Sequence, residues 1–166
     1  MWRAWTRSSV SSWSKATRTS ILGAAQVTTV AKEVFAAMVD GQAGFLTSSP
    51  AGSVSLADPL HVWVDMDTEP PGRVQVIAEA STADDLTRAF LHMDAAENVT
   101  EADVADAFGE IVNIMGGNMK ALLPRHVQLT MPEVSRQSPS GAGALRLLEL
   151  PLAWRGRPVV ITLRTI

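Results

Sequence analysis

A chain of 166 residues, 46% hydrophobic and 19% charged, has enough apolar material for one core and too little length for two domains of ordinary size. The lack of cysteine excludes disulfides and thiolate metal centres, and no apolar run approaches the roughly 18 residues of a membrane span. The net charge of −3 hides a division: residues 1–20 carry four basic side chains and no acid, whereas the remainder holds 10 basic against 17 acidic residues, the wrong sign for a nucleic-acid surface.

Residues 1–20, MWRAWTRSSVSSWSKATRTS, read as a flexible basic leader, with an organellar transit segment as the alternative. Trp2, Trp5 and Trp13 are available there to pack on the domain or on a second chain. Residues 21–166 form a single domain. From Ile21 to Met38 the pattern is helical, with Leu22, Ala25, Val27, Val30, Val34, Phe35 and Met38 apolar and Asp40-Gly41 as the stop. A turn-rich stretch around Pro50 follows, with room for one short strand.

Leu60, Val62, Val64 and Met66 alternate, as do Val74, Val76, Ala78 and Ala80, so two neighbouring strands are expected, each with one buried face. The acids Asp65, Asp67 and Glu69 between them lack the glycine of a calcium loop and run into Pro70-Pro71, which favours a solvated hairpin loop. Ser81 with Asp84 has capping-box spacing and opens a short helix with the stripe Leu86, Ala89, Phe90 and Met93.

Thr100 to Pro124 reads as one long helix, capped by Thr100 with Asp103 and stopped by Pro124. About 23 helical residues would span roughly 34 Å. Val104, Phe108, Ile111, Met115, Met119 and Leu122 make a narrow apolar stripe. The opposite face carries Asp106, Gly109, Glu110, Asn113 and Gly117. Glycine within a helix costs about 1 kcal/mol relative to alanine, so Gly109, Gly116 and Gly117 point to close approach by another surface. Packing against a neighbouring element of the same chain would serve as well.

Beyond the helix, Val127, Leu129 and Met131 alternate as in a strand, and two further strands flank the Arg155-Gly156-Arg157 turn. The sum is an α+β fold, a two-layer arrangement of an antiparallel sheet packed by long helices.

His61, His92 and His126 are scattered, and none has a second ligand at metal spacing. No serine lies in a nucleophile elbow and no phosphate loop follows a strand. What remains is Glu110 and Asn113, at i and i+3 on one face. A carboxamide cannot act as a general base near neutral pH, but it can hold a water in line with an electrophile, and positioning dominates phosphoryl transfer. The carboxylate can pair with a lysine on whatever carries the phosphoryl group.

The run Asp106-Ala107-Phe108-Gly109-Glu110-Ile111-Val112-Asn113-Ile114-Met115 with Gly117-Asn118 resembles the signature helix of the CheC/CheX/FliY chemotaxis phosphatases, whose defining element is Glu-x-x-Asn. Leu129 to Val134 looks like the strand with Pro-x-Val that follows it. A shift of 77 residues aligns Lys32–Met38 with Gly109–Met115, pairing Glu33 with Glu110 and Met38 with Met115, but Ala36 stands against Asn113. The resemblance implies a pseudo-repeat of helix plus strands with one active helix, the CheX-like arrangement.

The resemblance further implies a cytoplasmic phosphatase of a phosphorylated CheY-like receiver. Asn113 would orient water onto the aspartyl phosphate, and Glu110 would pair with the receiver's lysine. Asp106, Gly109 and Gly117 would contact the partner. No metal or cofactor of its own is implied, since the receiver supplies Mg2+, and a homodimer is expected, with no nucleic-acid or membrane partner. Two alternatives stay open: a non-catalytic module docking on a receiver or flagellar switch component, and an unrelated α+β structural domain.

Overall fold

The computed structural model describes residues 22–50, 52, 54–139, 141 and 143–166; the leader assigned to residues 1–20 lies outside them. In chain order come helix α1 (Ala24–Val34, continuing as π-helical turns over Phe35–Asp40), β1 (Leu46–Ser48), β2 (Pro59–Met66), β3 (Gly72–Glu79), α2 (Ala80–Leu91), α3 (Glu101–Ala121), β4 (Glu133–Ser135), β5 (Arg146–Trp154) and β6 (Arg157–Thr165). The strands form one antiparallel sheet in the order β1-β5-β6-β3-β2-β4. This is the expected α+β architecture.

The strand order bears out the pseudo-repeat. Exchanging β1 with β4, β2 with β5 and β3 with β6 turns the order into its own reverse, with β3 and β6 meeting at the centre. Each half contributes a long helix, then a short edge strand and a two-stranded hairpin. The helices differ in phase near their ends. In α1 the π turns accommodate an extra residue, so Phe35 and Val39 enter the core while Met38 is 37% exposed; its sequence counterpart Met115 is fully buried. Gly41, with φ +68°, ends the helix as expected. Just before it, the buried Asp40 carboxylate accepts hydrogen bonds from Trp154 Nε1 (3.0 Å) and Arg155 Nη2 (2.8 Å), tying the end of α1 to the β5–β6 turn.

The core lies between sheet and helices, with Val62, Val64, Val74, Val76, Ala78, Val159 and Ile161 facing Val27, Val30, Val34, Leu86, Phe108, Ile111 and Met115. Strands β2 and β3 are also buried on their second face, contrary to the one-sided expectation: His61, Trp63 and Gln75 are under 10% exposed. At His61 the cover comes from the segment before β2, where Val54 and Leu56 line one pocket with His61, Ile77, Pro151 and Val160. Arg73 stacks over Trp63 at 5.1 Å while its guanidinium pairs with Asp65 at 2.6 and 2.8 Å.

Two helix boundaries depart from expectation. Strand β3 runs into α2 without a loop, so Glu79 is the N-cap, Ala80 and Ser81 are already helical, and Ser81 and Asp84 form no capping box. The Glu79 carboxylate instead receives the Ala57 and Asp58 backbone N–H groups. Helix α3 ends at Ala121, so Leu122 is a cap residue and 48% exposed.

The buried His61 has a specific consequence. Gln75 Nε2 donates to His61 Nδ1 at 2.8 Å, and Gln75 Oε1 is taken by the Thr162 hydroxyl at 3.3 Å. Protonated His61 would set donor against donor. Burial, and then the charge of Arg164, hold the imidazole below its usual 6.5. The unfolded chain therefore binds a proton first as pH falls through about 6.5, and stability present above that pH is lost below it. The thermal midpoint of the native chain should drop between pH 7.5 and 5, and a His61→Gln chain should lose part of that slope. Equal slopes would remove His61 from the account.

Candidate functional site

Helix α3 is fixed at its start by the expected box. Asp103 N–H donates to Thr100 Oγ1 at 3.2 Å, and the Asp103 carboxylate accepts from the Thr100 hydroxyl at 2.6 Å and the Thr100 N–H at 2.9 Å. These bonds hold the Asp103 carboxyl below the usual carboxylate range, the hydroxyl contributing most. Val104, Phe108, Ile111, Met115 and Met119 are buried as a stripe, joined by Ala107 and Val112. A capped helix anchored along its whole length is a stiff support for what it displays on the other side.

On that other side Asp106 and Glu110 are exposed and Asn113 is half-buried. The Asn113 amide nitrogen lies 3.4 Å from Glu110 Oε2, a long contact that leaves the second carboxylate oxygen and the carboxamide oxygen without a partner among the described residues. Both groups lie on the helix face turned away from the core stripe. An apolar cavity of about 290 Å³, lined by Met66, Leu123, Val127 and Leu163, lies at the far end of α3 and includes neither residue. A pair outside this cavity suits contact with a partner surface better than capture of a small molecule there.

The three helical glycines separate by environment. A Cβ on Gly116 would lie 2.8 Å from Val64 Cγ2, so Gly116 lets α3 settle onto β2. Gly109, expected on the open face, is buried instead: a Cβ there would meet Pro132 Cγ at 3.3 Å, and the Pro132 ring occupies the space. Only Gly117 has open space where its side chain would be.

Pro132 also corrects the strand expected over Val127–Met131. Strand β4 spans only Glu133–Ser135, pairing with His61–Trp63 of β2, while Met66 bridges Leu129 in a register shifted by one. Val64 and Asp65 of β2 therefore face Thr130, Met131 and Pro132, a β-bulge with one extra residue. The extra residue reverses the alternation: Val127 is buried, but Met131, expected to point inward with it, is 82% exposed. A proline inside an alternating run was the available sign of the break.

In the first half of the repeat, Glu33 is exposed and Ala36 half-buried, so no carboxamide stands at the position matching Asn113. Among the described residues, no cluster of His, Asp and Glu could hold a metal ion, and no helix is long and apolar enough to cross a membrane.

Residues 61–142 match the family model for the chemotaxis phosphatase CheX, a span that includes Glu110, Asn113 and the bulge. No curated protein sequence matches the chain. Several solved structures share the fold. A chain of the CheX–CheY–BeF3–Mg2+ complex from Borrelia burgdorferi is 17% identical, with a TM-score of 0.65 over 84% of this chain and 94% of that one. The CheX protein of Vibrio vulnificus is 16% identical, with a TM-score of 0.63 over 84% and 93%. A CheC-like superfamily protein from Shewanella sp. PV-4 is 15% identical, with a TM-score of 0.62 over 84% and 94%.

Proposed function

We propose that this chain, CheX-like in sequence and in fold, is a phosphatase of a phosphorylated CheY-like receiver domain, acting through the exposed face of α3. The observation that carries the reading is the pair Glu110 and Asn113, one turn apart on a rigid helix and free to meet a partner. The Asn113 carboxamide enters the receiver's pocket, and its oxygen accepts a hydrogen bond from a water. The water oxygen then bonds to phosphorus in line with the aspartyl oxygen, whose bond to phosphorus breaks. Inorganic phosphate departs and the aspartate carboxylate is restored. The Glu110 carboxylate pairs with the receiver's lysine and sets the docking angle.

Mg2+ belongs to the receiver in this scheme, so the chain needs no metal ligands of its own. Phosphorylated receivers are cytoplasmic substrates, so a cytoplasmic location goes with this proposal. Asp106 and Gly117 lie within the contact face, and Gly109 contributes by seating Pro132 at its border. A homodimer joined through sheet edges fits the same reading. Among the described residues, strand β1 pairs with β5 only over Leu152–Trp154, leaving an open edge toward Arg146 where Leu147 is 39% exposed.

The test is phosphate release from a purified phosphorylated receiver with and without the chain. Tight binding with no gain in release would instead favour the non-catalytic docking module. As a second expectation, Glu110→Lys sets like charges together and should weaken receiver binding by about tenfold or more. Glu110 is exposed, so the thermal midpoint should hold, with stability changed by no more than about 0.5 kcal/mol. A large loss of stability would make Glu110 structural.

A further inference from the structure

We infer that Met131 is an apolar anchor for the receiver, placed by the β-bulge at the border of the Glu110–Asn113 face. This rests on the phosphatase reading and adds to it a contact that fixes orientation. Met131 is 82% exposed, the highest value among the large hydrophobic residues described. An isolated exposed methionine is ordinary on a loose loop. This one is held on both sides.

Before it, Thr130 N–H donates to the Asp65 carbonyl at 3.0 Å, and the Thr130 hydroxyl accepts from Asp65 N–H at 3.0 Å. Asp65 is itself clamped by Arg73. After it, Pro132 wedges against Gly109, and Glu133 pairs with Trp63 of β2. The backbone is therefore pinned to β2 and α3 while the side chain stands in solvent. Bulges are used in this way to re-aim a side chain beside a site.

Placement selects the occupant. Pro132 packs on Gly109, the residue preceding Glu110, so the backbone at Met131 lies at the border of the functional face. In the proposed pose, a receiver that takes Glu110 and Asn113 into its phosphorylated pocket extends its adjoining surface over Met131. The surroundings are acidic, with Asp106, Glu110 and Glu133 exposed. The partner chemistry that fits is a basic pocket rim beside a shallow apolar depression. Methionine suits this, because its flexible, polarisable side chain adapts to an irregular apolar surface.

The experiment uses the receiver domains of the same organism, each phosphorylated with acetyl phosphate, and takes the one whose phosphate release depends on Asn113. Against it, Met131→Ala should raise KM about fivefold to tenfold and Met131→Glu should raise it further, while Met131→Leu stays near the native value. The kcat should remain within about twofold, and the unfolding midpoint should not move, since the side chain is not in the core. Unchanged KM for Met131→Glu, with Asn113-dependent release intact, would overturn the anchor and leave the phosphatase reading standing. A fall in kcat at constant KM would also overturn it, as would a change confined to self-association, which would make Met131 a contact between copies of this chain. Absence of Asn113-dependent release from every receiver would instead sink the reading beneath it.

Discussion

Replacing Asn113 with alanine is expected to reduce phosphate release to the receiver's own rate of hydrolysis, a loss of at least about 100-fold in the chain's contribution. The size follows from how little else the chain supplies. Apart from the carboxamide, the face offers a carboxylate for docking, and the scheme assigns the lysine and the metal ion to the receiver. Removing the carboxamide leaves a docked pocket with an unplaced water. Fold loss cannot imitate this outcome. Asn113 is half-buried on a helix whose opposite stripe forms the core, and alanine is the better helix former by about half a kcal/mol. The thermal midpoint should hold or rise slightly while binding to the receiver persists. Release at the native rate from a folded Asn113→Ala chain would remove the mechanism.

The second large effect concerns adjacent glycines with opposite surroundings. Gly116→Leu should destabilise the chain by about 3 kcal/mol or more, because the first added carbon already collides with Val64 Cγ2 at 2.8 Å and the rest has no space. For a domain of this size that lowers the thermal midpoint by roughly 6–12 °C. Gly117→Ala should do the reverse. Its side chain would enter open space, and the better helix propensity is worth about 1 kcal/mol, or roughly 2–4 °C. If the receiver lies close against this face, the more stable Gly117→Ala chain should bind it more weakly. A Gly117→Ala chain that is more stable and binds equally well would free Gly117 from any part in docking. Thermal unfolding of both variants, with receiver titration of the second, settles the pair.

Helix α3 was legible in the sequence because each of its determinants is local. The Thr100–Asp103 box, the apolar period and the polar face all lie within one continuous stretch. The β2–β3 and β5–β6 hairpins were legible for the same reason. What escaped depends on neighbours distant in the chain. The second buried face of β2 is covered by the segment around Val54 and Leu56 at His61 and by Arg73 at Trp63, and nothing in the alternation of Leu60 to Met66 reports that cover. The burial of Gly109 depends on Pro132, 23 residues away along the chain. The exposure of Met131 follows from a one-residue shift in pairing between β2 and the segment leading to β4, although alternation alone places it inward. Met38 shows the same limit in a helix, since π turns rephase α1 at the point where the repeat predicts a buried methionine.

The self-reversing strand order sets the valency of the molecule. A frame made of two matching halves offers two equivalent helices, and a chain with the carboxamide on both could serve two receivers at once. If Asn113 works as proposed, Ala36 at the matching position in the first half leaves one chain with one working face. Each encounter with a receiver is then independent of any other on the same chain, and the rate follows receiver concentration without cooperativity inside the domain. Only the pairing of whole chains through their sheet edges would give a bivalent particle, which makes assembly, rather than the fold, the point at which avidity could be introduced.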